Sequence, residues 1–168
     1  FASMGMRGHS NNIEVFNYLE TKGVDPCQVS ATGNTALTYY VTKSPSKQVV
    51  EYFISKDVPI NQETENGYTA LLNAAPRQNK QIISLLLERT YNINHQNKDG
   101  EFALALAIRY NDPEVVELLV QRGADLTLVN ANGNGLLYFL IQSHNAKNIN
   151  LFNQKVDLLR QAGFSFNH

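Results

Sequence analysis

The sequence predicts an all-α fold built from stacked helix pairs. Three observations predict it. A block of similar residues recurs at a period near 33, opened in turn by Gly33, Gly67, Gly100 and Gly133. Each block holds two apolar stretches of helical spacing with a polar break between them. The segments joining blocks, such as 92–99 and 127–132, are short and rich in Asn, Asp and Gly, which suits turns better than strands. Self-similarity at this period marks a repeat array, in which neighbours bury each other's apolar stripes.

The elements follow in order. Residues 1–10 occupy the register of a first helix, but Gly5, Gly8 and Ser10 weaken it, so a truncated or frayed helix is expected. Asn12 is placed to cap the next helix, with Val15, Phe16, Tyr18 and Leu19 as one apolar face. Gly23 suits a left-handed stop. Thr35 is the expected cap of a helix to about Thr42. Ser44-Pro45 marks the next start, with Val49, Val50, Phe53 and Ile54 inward.

The third block is the most regular. Thr69 caps its first helix, Pro76 closes it, and Asn79 caps a second helix rich in Ile and Leu. Thr90 stands where a stop glycine is expected, which implies strain or a different exit. In the fourth block Asp112-Pro113-Glu114 gives a cap, a proline at the first position and an acid in the first turn. The last block is longer. Gly133 to Gly163 spans 30 residues against 23 from Gly100 to Gly123, and the polar stretch 143–150 is the expected surface insert. Its first helix, Leu136 to Ile141, is apolar all round, so cover on every side is expected, from the preceding pair and from its own long second helix, a second copy or further chain.

Gly-x-Thr-Ala-Leu at 33–37 and 67–71, Val-Val-x-Leu-Leu at 115–119 and Gly-Ala-Asp-Leu at 123–126 resemble the ankyrin repeat. The resemblance covers nearly the whole chain. The family's Thr-Pro-Leu-His stands here as Thr-Ala-Leu-Thr and Thr-Ala-Leu-Leu, and Phe102 and Gly135 replace the threonine in the last two blocks. The resemblance implies one ankyrin-type solenoid domain over 1–168. Its expected repeats are 1–29, which is incomplete, 30–62, 63–95, 96–129 and 130–168. About ten helices in five pairs should carry short hairpin-like connecting loops, or fingers, and a concave face of first helices and finger tips.

Composition narrows the function. A net charge of -1, with 17% charged residues, gives no broad attraction to nucleic acid or anionic membrane. No apolar run approaches the ~20 residues of a spanning helix. The chain starts at Phe1, so a preceding segment is allowed for and the compartment is left open. Cys27 is a lone thiol, and His9, His95, His144 and His168 show no metal-ligand spacing, so surface or loop histidines are expected. Asn97-Lys98-Asp99-Gly100-Glu101 lacks the remaining ligands of a calcium loop and fits a finger turn. No phosphate loop or catalytic constellation is present. No cofactor, metal or enzyme activity is therefore expected.

The expectation is a protein-binding module whose concave face meets another protein. Tyr68, Arg77, Arg109 and Tyr110 are the candidate anchors, with Glu65, Asn66, Lys98 and Asp99 at finger tips as orienting contacts. The tyrosine rings could instead pack on the adjacent pair. An alternative role is a regulatory or targeting segment of a longer enzyme or effector. The apolar last block could also support an oligomer.

Overall fold

The computed structural model describes residues 13–43, 45–144 and 148–166. Among them the chain forms α1 (Ile13–Thr21), α2 (Ala36–Tyr40), α3 (Lys47–Ser55), α4 (Ala70–Ala74), α5 (Lys80–Leu87), α6 (Ala103–Tyr110), α7 (Pro113–Gln121), α8 (Leu136–Gln142) and α9 (Ile149–Gln161). No strand occurs among these residues, only a single bridge from Gln96 to Phe102. The expected first helix at 1–10 and the Asn12 cap lie outside the described residues.

Two layers result. Helices α2, α4, α6 and α8 touch in sequence, as do α1, α3, α5, α7 and α9. The core runs between the layers through Leu37, Val50, Phe53, Leu72, Ile83, Leu86, Leu104, Ile108, Leu119, Leu136 and Leu159. Removing these side chains from water is the main favourable contribution to folding.

Caps explain where the helices start. Thr35, Ser46, Thr69 and Asn79 each accept a bond from the backbone N–H three residues on. The start of α3 corrects the sequence expectation: Ser46 is the cap, and Pro45 sits just before it instead of in the first turn. Asp112 precedes α7, yet its side chain makes no capping bond, so Pro113 and Glu114 carry that start. Phe102 and Gly135, lacking a suitable oxygen, leave α6 and α8 without side-chain caps.

The helix ends follow a second rule. Gly23, Asp57, Gly123 and Gly163 all have positive φ, and the next residue's N–H bonds back five residues. Asp57 does this without being glycine, at φ 54°. Thr90 takes a different exit. Its hydroxyl donates to the Leu86 carbonyl at 2.8 Å, and Asn61 of the preceding block bonds both the Arg89 carbonyl and the Tyr91 N–H.

Two packing expectations need correction. Tyr18 and Leu19 of α1 are exposed, and Phe16 is the residue buried there. In α3 Tyr52 is buried while Ile54 is only half-buried, because Tyr52 joins a ring cluster with Phe16 and Phe53. The chain itself does not cover helix α8 all round. Leu136, Phe139 and Leu140 are buried, whereas Leu137, Tyr138 and Ile141 are exposed, since α6 and α9 cover only one side. The expected insert at 143–150 overlaps the helices, and its residues 145–147 lie outside the described residues. Ser143 ends α8 and α9 begins at Ile149, so helix claims the last two residues of 143–150.

Candidate partner-binding face

The fingers share one construction. Ser30, Thr64, Asn97 and Asn130 open four turns, and each accepts on its side chain the N–H of the residue four further on. The backbone carbonyl of each also accepts the N–H of a glycine with positive φ: Gly33, Gly67, Gly100 and Gly133. Neighbouring tips are joined. Glu65 N–H donates to Thr32 O at 2.8 Å, Lys98 N–H to Asn66 O at 3.1 Å, and Ala131 N–H to Asp99 O at 3.1 Å. Gly100 is needed twice over, since an added Cβ would run into the Ala131 backbone nitrogen. The tips therefore form a bonded row in which Glu65, Asn66, Lys98 and Asp99 have exposed side chains on a fixed backbone.

Grooves lie where the fingers meet the first helices. One, of about 410 Å³, is lined by Tyr68, Leu72, Asn73, Pro76, Arg77, Glu101, Leu106 and Tyr110. It brings three of the four expected anchors together. A second, of about 390 Å³, continues past Tyr68 and Asn73 to Tyr39, Glu65 and Asn66. Arg109 does not line the first groove, but its guanidinium stacks on the Tyr110 ring, 4.8 Å from the centroid. Lys43 stacks likewise on Tyr39 at 5.0 Å. Tyr39 and Tyr110 are 57% and 55% exposed, so neither ring is a core residue.

Tyr68 is more firmly held than a finger-tip anchor would be. It is half-buried, and its hydroxyl donates to Glu101 Oε2 at 2.7 Å. Burial, then the bond to Glu101, pushes its pKa up to about 12. Asn97 Nδ2 holds the same carboxylate oxygen at 3.0 Å. Tyr68 thus forms a fixed wall between the grooves and turns only part of its ring to solvent.

The charges of this face are unevenly satisfied. The ion pairs among the described residues join other groups and use none of Lys43, Arg77, Lys98 and Arg109. His95, expected only as a surface or loop residue, is half-buried in its finger with Nε2 2.8 Å from the Gly67 carbonyl. His144 is exposed and sits edge-on to Phe152, while His9 and His168 lie outside the described residues. The Cys27 thiol lies 3.1 Å from the Lys56 carbonyl, and burial raises its pKa, the reverse of an activated nucleophile. Among the described residues no group of three or more His, Cys, Asp and Glu could hold a metal ion, and no helix is long and apolar enough to cross a membrane.

With the helix pairs and fingers in place, the comparison with known families has a structural meaning. The family model described as ankyrin repeats matches in three overlapping stretches, 3–97, 41–130 and 72–161. The chain belongs to the ankyrin-repeat family. Among curated proteins none matches. Ankyrin repeats are generally protein–protein interaction modules. One departure from the ankyrin pattern has a local explanation. Thr38 replaces the family's histidine in the second block, and its hydroxyl accepts the Thr35 N–H at 2.8 Å, closing a reciprocal cap.

The sequence reading did not include Tyr39 among its anchors, although it lines the second groove. The available signal was an aromatic on a first helix directly after Leu37 and Thr38, which are buried.

Proposed function

We propose that this ankyrin-repeat chain is a non-catalytic module that binds another protein on its concave face. Tyr68, Arg77, Arg109 and Tyr110 act as anchors, and Glu65, Asn66, Lys98 and Asp99 orient the partner from the finger tips. The observation that carries the reading is the shared groove of Tyr68, Arg77 and Tyr110. Aromatic and arginine side chains dominate the energetics of interfaces when they are fixed and partly desolvated. Here the fixing is supplied by the Tyr68–Glu101 bond and the Arg109–Tyr110 stack.

The test compares two sets of substitutions in partner capture from the native host. Arg77→Ala, Arg109→Ala and Tyr110→Ala are expected to abolish capture while the helical circular-dichroism signal is unchanged. Gln81→Ala, Glu88→Ala and Gln121→Ala, exposed on or beside the second helices, are expected to leave it intact. Equal loss from both sets would remove the special role of the concave face.

A further inference from the structure

The first-helix side of this face carries a row of cations. Lys43, Arg77 and Arg109 stand at or just beyond the ends of three successive first helices, α2, α4 and α6. None is paired with a carboxylate among the described residues. Glu101, the acid that lines the main groove, is held at Oε2 by the Tyr68 hydroxyl and the Asn97 amide. Glu65 and Asp99 stand on the finger tips, where Glu65 lines the second groove. A row of unpaired cations beside aromatic rings is complementary to carboxylates that alternate with apolar side chains.

We propose that the partner presents an extended acidic segment to this face. The inference rests on the protein-binding role set out above and names the chemistry of what binds. Carboxylates of the segment meet Arg77, Arg109 and Lys43, and an apolar side chain between them sits against Tyr68, Pro76, Leu106 and Tyr110. Packed helices lie about 8–10 Å apart, and a polyproline II chain advances about 3.1 Å per residue and returns to the same face every third residue. One repeat step therefore matches about three residues of the segment, so acids three apart fit the row. A nucleic acid is the poorer fit, because phosphate binding is favoured by many clustered cations, and this row has three.

The experiment is a selection of random displayed peptides on the whole chain and on the Arg77→Gln/Arg109→Gln variant in parallel. Sequences enriched on the parent are then measured as synthetic peptides, beside versions with every Asp and Glu changed to Asn and Gln. The proposal expects enriched sequences to be acidic with apolar residues between the acids. It expects binding to fall about tenfold or more in the neutralised peptides and in the double variant, and to weaken with salt. Enrichment of neutral or basic sequences that still need Tyr110 would overturn the acidic preference and leave the binding face standing. No enrichment on the parent over a Tyr39→Ala/Tyr110→Ala variant would overturn both. Displacement of the acidic peptide by a single-stranded oligonucleotide at lower concentration would also overturn the proposal. Circular dichroism of each variant separates loss of binding from loss of fold.

Discussion

Lys155 reaches from α9 across the layer and donates its buried ammonium to the Ile108 carbonyl of α6, at 2.7 Å. Two earlier bonds serve the same purpose. Gln78 Nε2 donates to the Val41 carbonyl at the end of α2, and Asn111 Nδ2 to the Ala75 carbonyl at the end of α4. The last carbonyls of a helix lack partners within it. Helices α2, α4 and α6 are therefore each finished by a side chain from the following block. Gln78 and Asn111 are 33 apart. His144 holds the next place in register, but it faces Phe152, and Lys155 takes over the bond.

This gives a prediction with a sign. Burial pushes the Lys155 pKa below the ordinary 10.5, with Asp112 opposing in part. Between the folded and unfolded values the unfolded chain binds more protons, so stability rises with pH through that window. Lys155→Ala should lower stability at neutral pH by about 1–3 kcal/mol, because the Ile108 carbonyl loses its partner. It should also flatten the rise on the alkaline side. Urea melts at pH 7 and pH 10 measure both effects, and an unchanged slope in the variant would contradict the assignment.

The finger glycines give a paired prediction. Gly100 and Gly133 have nearly the same backbone, φ 71° and 75°, but only at Gly100 does a Cβ meet another finger. Gly133→Ala should cost about 1–2 kcal/mol from left-handed strain alone. Gly100→Ala should cost about 1–3 kcal/mol more, since the Ala131 backbone must move. Equal losses in thermal or urea denaturation would show that the tips are not tied together.

Tyrosine titration tests the buried rings. Tyr52 and Tyr68 both have pKa values pushed up to about 12, mainly by burial and then by bonds to Glu20 and Glu101. Their folded values lie above the unfolded value near 10, so the stabilisation is complete below pH 10 and is lost as pH rises toward 12. Ultraviolet titration of the folded chain should therefore show a late class of phenols, reduced by Tyr68→Phe. A single transition near pH 10 in the folded protein would contradict the placement of both rings.

The fold was legible in the sequence because its signals are periodic. Glycines at one spacing, threonine caps and paired apolar stripes all depend on near neighbours in the chain. What was not legible depends on distant partners. Asp57 adopts a glycine-like conformation, and nothing local distinguishes it from a surface acid. Asn61 completes the exit of a helix one block away, and Lys155 replaces an expected register partner. The candidate face divides the same way. Tyr110 was expected at the end of a first helix and lies there, whereas the fixing of Tyr68 by Glu101, 33 residues on, appears only when two fingers lie side by side. The open side of α8 was missed for a related reason: composition records that Leu137, Tyr138 and Ile141 are apolar, not which neighbours reach them.

The central claim is that partners meet the first helices and fingers and not the second helices or the apolar end at α8. Hydrogen–deuterium exchange of the whole chain, free and saturated with a selected acidic peptide, tests it most directly. The account predicts slowed exchange at the finger tips 65–68 and 98–101 and at the first-helix ends near Arg77 and Tyr110, with α5 and α7 unchanged. Slowing confined to α5 and α7, or to the exposed Leu137, Tyr138 and Ile141 side of α8, would contradict it.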